Sequence, residues 1–127
     1  AFPLAALDEA GALLPFGTDA PVEPADPWRG MAAAVTRRGP GWAASEAFHG
    51  EQALTLERAF RGACIDGPRS ARIRDQGHLA TGARADLLVL PAALFDSPLD
   101  PDVLAGIRPL ITLLDGEVVY RSPEFEL

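Results

Sequence analysis

The hydrophobic period of this sequence changes once along its length, and that change limits the folds open to it. Up to Asp66 the apolar residues recur at the three- and four-residue spacing of helices; beyond Gly82 they gather into short, nearly continuous runs separated by turn residues. A helical first part and a strand-rich second part make a mixed α and β chain. With 127 residues and 48% hydrophobic content, one compact unit with a single core is the expectation.

The individual elements follow from local signals. Leu4, Leu7 and Ala10 predict a helix over residues 2–10, with Pro3 in its first turn and Gly11 as a left-handed cap. The run Leu13-Leu14-Pro15-Phe16-Gly17 is too short for a helix and predicts a buried strand. Asp26-Pro27 is a helix start, an N-cap followed by proline, after which Trp28, Met31, Ala32 and Val35 form one apolar face that Gly39-Pro40 stops. Thr55 caps a second stripe of Leu56, Ala59, Phe60, Ala63 and Cys64, ended by Asp66-Gly67-Pro68. Strands are predicted over residues 87–90, 110–114 and 118–120, the last two joined by Asp115-Gly116, a strong signal for a tight hairpin. A short proline-initiated helical turn is predicted at residues 100–104.

Composition excludes several classes of function. The net charge is −7, from 18 acidic against 11 basic residues, and every basic residue is arginine with no long positive run, so nucleic acid is not an expected partner. The single Cys64 rules out an intramolecular disulfide and a cysteine-based zinc cluster, and the simpler expectation is a cytoplasmic protein. No apolar run approaches the ~20 residues that span a bilayer, and no basic-then-apolar signal segment opens the chain, so no membrane partner is expected. The natural start is expected upstream of Ala1.

Few residues could carry chemistry. Asp19 follows the predicted strand in Phe16-Gly17-Thr18-Asp19-Ala20-Pro21. A carboxylate at the C-terminal end of a barrel strand faces an active-site mouth and can bind a divalent ion or take a proton from water; the plainer reading is a side-chain turn before Pro21. His49 and His78 have no second ligand at metal-pair spacing, and Ser45 beside Glu46 and His49 lacks a nucleophile elbow. Arg37 and Arg38 could hold a carboxylate, or complement the helix dipole from the last turn of the Trp28 helix, and the second role is the expectation. Trp28 and Cys64 are expected in the core.

Taken in order, several of these pieces resemble amidohydrolase family 3. Gly17-Thr18-Asp19-Ala20-Pro21-Val22, Asp26-Pro27 and Ala32-Ala33-Ala34-Val35-Thr36-Arg37 are similar to the family's last barrel strand and the helix after it. Leu54-Thr55-Leu56-Glu57-Arg58-Ala59 is similar to its late helix. Gly77-His78-Leu79, Gly82 and Ala85-Asp86-Leu87-Leu88-Val89-Leu90 resemble its glycine-punctuated strand segment, and residues 115–120 resemble its closing hairpin.

The resemblance implies an α/β protein represented by its C-terminal portion. Residues 1–74 would be the last helix-strand-helix units of a distorted β/α (TIM) barrel, which needs roughly 200 residues or more to close. Residues 75–127 would be strands of a small accompanying β-sandwich, so that the isolated chain is a mixed α+β unit. It further implies hydrolysis of a small amide or formamide, at a carbon–nitrogen bond other than a peptide bond, by water on a divalent metal, with zinc the expected ion. Asp19 is then the carboxylate that helps hold the metal and moves the proton. The family's His-x-His pair, bridging ligand and later histidines have no counterpart, and one carboxylate does not retain zinc, whose sites need about three protein ligands. The chain is therefore expected to hold no metal and to be inactive alone. The alternative from another class is a non-catalytic interaction or structural module that reuses this part of the fold. Either way, a barrel strand without its neighbours leaves an open edge, so a homo-oligomer is expected through residues 13–16 or the Trp28-Met31-Val35 face.

Overall fold

The computed structural model describes residues 2–96 and 100–125. Within them the chain is a mixture of short helices and one three-stranded antiparallel sheet. No described helix is long and apolar enough to cross a membrane.

Helix α1, Leu4–Glu9, ends where the sequence places its cap. Gly11 adopts a φ of +77°, its amide donates to Asp8 and the Ala12 amide donates back to Leu7, the paired bonds of a Schellman ending. Helix α2, Trp28–Thr36, starts where the Asp26 carboxylate accepts the Trp28 amide at 2.9 Å. It stops earlier than Gly39-Pro40, because Arg37 turns left-handed at φ +55° while its amide still donates to Ala33. Arg37 and Arg38 therefore lie beyond the helix, and the last turn holds no cation.

Helix α3, Leu56–Arg61, is capped by the Thr55 hydroxyl, which accepts the Arg58 amide at 3.1 Å. The expected stop at Asp66-Gly67-Pro68 does not occur. The chain passes into a π-helical segment, Gly62–Asp66, and then into α4, Gly67–Ser70. Pro68 falls in the first turn of α4, where proline is tolerated.

The predicted strand at residues 13–16 is not one. That segment has no regular secondary structure and pairs with no other strand; Leu14 is buried, while Leu13 is 41% exposed. Its Leu14 and Phe16 amides bond to the π segment instead, because no second strand is adjacent to complete a ladder. The predicted strands in the second half do form: β1, Leu87–Val89; β2, Ile111–Leu114; and β3, Glu117–Arg121. They are ordered β1-β2-β3, with Leu88 opposite Thr112 and Leu114 opposite Glu117, and the register shifts after Thr112. Asp115 and Gly116 both have positive φ, +52° and +85°, as the tight primed turn requires. Between β1 and β2 lie α5, Ala93–Asp96, and α6, Pro101–Ala105; α6 is capped by Asp100, whose carboxylate accepts the Asp102 and Val103 amides.

The main core joins both halves of the chain. Trp28, Met31, Ala32 and Val35 of α2 pack with Ala59 of α3, with Leu94, and with Leu104 and Ile107 from α6 and just beyond it. Ala59 is fully buried, and a side chain that small lets helices approach closely. Trp28 meets Phe60 edge-on, centroids 6.2 Å apart, as expected for a core aromatic. A second cluster of Leu14, Ala34 and Leu54 occupies the other side of α2, so that helix buries two faces where the sequence predicted one. Trp28, Met31 and Val35 are buried within the chain, and the Leu14 and Phe16 amides are bonded to Asp66 and Gly62 of the π segment. Cys64, expected in the core, is exposed.

Candidate functional site

Asp19 sits in an exposed turn between the irregular segment of residues 12–18 and the start of α2. Its φ is +53°, a left-handed conformation that aspartate tolerates better than most residues, and its carbonyl accepts the Val22 amide at 2.9 Å to close the turn. Residues 19–25 are all exposed, so the turn has no core of its own and depends on what holds its ends. On the far side the hold is Asp26 on the Trp28 amide.

On the near side the hold comes from α3 and the π segment. Arg58 spans the space between α3 and the incoming chain: its Nε pairs with the Asp8 carboxylate, Nη2 donates to the Ala12 carbonyl at 3.4 Å, and Nη1 lies 2.9 Å from Asp66 Oδ2. Nη1 makes no aligned hydrogen bond among the described residues, so its link to Asp66 is an ion pair. Asp66 is 2% exposed, and its Oδ2 also accepts the Leu14 amide at 2.9 Å. Two residues further, the Phe16 amide donates to the Gly62 carbonyl at 3.3 Å. Residues 12, 14 and 16 are thus each tied to the helix side.

The electrostatics agree with this geometry. Burial pushes the Asp66 carboxyl up, but the Leu14 amide and the Arg58 guanidinium outweigh it and hold its pKa below the ordinary aspartate value. The hydrogen bond to Asp8, reinforced by Asp66 against the cost of burial, raises Arg58 further. The pair is therefore charged at neutral pH. Sequence reasoning missed it, although the signal was present: Asp66 stands seven positions after Ala59, on the buried stripe of the helix, where a lone carboxylate needs a partner.

The other candidates do not assemble. Glu46 uses its carboxylate on the Ala43 amide at 2.6 Å and His49 faces Glu51 at 2.9 Å, so Ser45, Glu46 and His49 form no triad. The hydrogen bond to His49 lowers the Glu51 pKa. Arg37 donates to the Phe48 carbonyl and Arg38 to that of Trp42, bracing the loop after α2. His78 takes the Arg74 carbonyl as its partner at 2.9 Å. It lines, with Cys64, an open and mainly apolar cleft of about 660 Å³ between the π segment and the sheet. The partial desolvation of Cys64 pushes its thiol up, away from the thiolate that a nucleophile needs.

Among the described residues no three His, Cys, Asp or Glu side chains are grouped so that they could hold a metal ion. Asp19 alone does not fit the donor set of a zinc site.

Known proteins bear directly on this arrangement. The model of the amidohydrolase family matches residues 1–120. The Bacillus subtilis (strain 168) protein named "Putative amidohydrolase YtcJ" is 32% identical over 128 aligned positions, covering 96% of this chain and 23% of that protein. The imidazolonepropionase of Mycolicibacterium smegmatis is 38% identical over 79 positions, covering 58% of this chain and 18% of that enzyme. The chain thus spans less than a quarter of the length of either relative. No solved structure matches it significantly.

Proposed function

This chain belongs to the amidohydrolase family, and from that premise we propose that it is the C-terminal part of a metal-dependent hydrolase acting on carbon–nitrogen bonds other than peptide bonds. The observation that carries the reading is the family match, which runs through both the Asp19 turn and the closing hairpin. Both relatives are named as enzymes of related type, an amidohydrolase and an imidazolonepropionase, and the family is generally metal-dependent. In this reading residues 1–74 contribute the last units of a β/α barrel and residues 75–127 contribute strands to a small β-sandwich. The substrate is a small amide or formamide, the metal is zinc, and the location is the cytoplasm, which suits a chain with one cysteine.

Asp19 is the active-site carboxylate of this proposal. It stands on an exposed turn, where a carboxylate can be offered to a ligand or take a proton. The remaining metal ligands are to be sought elsewhere in the complete enzyme, so this chain alone binds no metal stoichiometrically and turns over no amide. Metal analysis of the purified chain and an assay against a panel of small amides test the division: tightly held zinc at one equivalent together with turnover would end it. Asp19→Asn in a complete enzyme carrying this segment tests the residue. Loss of turnover with the fold intact is the expected result, and full activity removes Asp19 from the site.

A further inference from the structure

We propose that Asp66 is a positioning residue for the turn that carries Asp19: from the π-helical segment its buried carboxylate, paired with Arg58, grips the Leu14 amide and so aims the chain that follows. The importance of this hold rests on the reading of Asp19 given above; the hold itself does not.

Three observations converge on it. The turn cannot order itself, because residues 19–25 are exposed and its one internal backbone bond runs from Val22 to Asp19. Its entry is clamped at two alternate amides, Leu14 on Asp66 at 2.9 Å and Phe16 on Gly62 at 3.3 Å, the second only three residues from Asp19. The clamp is also in direct backbone contact: a Cβ added at Gly62 would lie 2.7 Å from the Leu14 carbonyl oxygen and 3.0 Å from the Phe16 ring. Only glycine admits that approach.

A charged acceptor suits the task better than a neutral one. An ionised carboxylate makes a stronger hydrogen bond to an amide, and Arg58 supplies the charge that lets it stay ionised while 2% exposed. Arg58 also carries the hold back along the chain, through the Ala12 carbonyl and Asp8 of α1. The π segment is what presents Asp66 on this side, and such insertions recur at functional sites.

Backbone NMR on the intact chain tests the inference, with Asp66→Ala and Asp66→Asn compared. In Asp66→Ala the Leu14 amide should exchange at least ~10-fold faster, a local opening, and the heteronuclear NOE should fall at Gly17, Thr18 and Asp19. The Leu110 and Ser122 amides, which donate to Val89 and Leu110 in the sheet, serve as the internal reference and should stay protected. Asp66→Asn keeps an acceptor for Leu14 and should restore most of the order at residues 17–19. If Leu14 opens while Asp19 keeps its order, the inference is overturned. If Asp66→Ala unfolds the reference amides as well, Asp66→Asn decides: order at residues 17–19 that tracks Leu14 protection supports the hold, and order independent of it overturns it. An active Asp19→Asn enzyme would leave these NMR results standing and remove only the functional reading.

Discussion

Residues 12–16 and residues 111–121 are both apolar stretches beside a turn signal, yet only the second became sheet. The hairpin carries its own partner: Asp115-Gly116 folds β3 onto β2, and β1 joins the pair, so backbone groups are met within a short stretch of chain. Residues 12–16 have no such neighbour. Their polar groups are met by a guanidinium, a carboxylate and a helix carbonyl, all contributed by residues 58–66. The difference is one of dependence, because a hairpin holds itself whereas this segment rests on two charged side chains about fifty positions away, Leu14 being 52 residues from Asp66 and Ala12 being 46 from Arg58.

The largest expected effect breaks that dependence. Asp66→Ala leaves the part-buried Arg58 with Asp8 alone and strips the Leu14 amide of its acceptor, which should cost about 2–4 kcal/mol in urea unfolding. Asp66→Asn keeps the acceptor and should cost less. A loss from Asp66→Ala no greater than that from an exposed substitution would show that the segment holds itself as the hairpin does. Acid makes the same comparison without mutation. The Asp66 pKa is lowered in the folded chain, so its stabilisation is fully present above the unfolded aspartate value of about 3.9 and is lost as pH falls through the folded value. Protection at Leu14 should therefore fade in that acid window while Leu110 and Ser122 hold, and Asp66→Asn should flatten this part of the pH profile.

Next in size is Gly62→Ala. Its Cβ would press on the Leu14 carbonyl at 2.7 Å, and the backbone there must shift, at a cost of about 1–3 kcal/mol. The matching change in the hairpin, Gly116→Ala, meets only Ala85 Cβ at 3.8 Å, so the cost is the left-handed backbone alone, about 1–2 kcal/mol. Chemical denaturation of the two variants ranks them. A larger loss at Gly116 would mean that turn conformation matters more here than the helix-to-segment contact.

What was legible in the sequence follows the same division. The Asp115-Gly116 turn, the caps at Asp26 and Thr55, the proline-initiated turn at residues 100–104 and the Trp28 face are all readable because each depends on residues a few positions apart. The apolar run at residues 13–17 reads as a strand because hydrophobic pattern reports a buried run, not what its backbone bonds to. The helix after Leu56 was ended too soon because Asp66-Gly67-Pro68 is a local stop signal, overridden when Asp66 gains a partner on another element. Asp19 is a turn residue by its surroundings, and only the ordered motifs downstream connected it with chemistry.

The smallest expected effect concerns the hairpin's own unfinished side. β3 is an edge strand, and Val118, Val119 and Tyr120 are 51%, 58% and 42% exposed, so the strand that needs nothing for its fold offers an open ladder and apolar side chains to another chain. This edge is therefore a further surface through which copies of the chain should pair. Light scattering across a concentration series should show association, and Val119→Lys should reduce it, since an edge lysine resists pairing. Because the side chain is exposed, the same change should alter monomer stability by no more than about 0.5 kcal/mol. A chain that stays monomeric at every concentration would remove the edge as an interface, and self-sufficiency would then describe the hairpin in solution as well as in the fold.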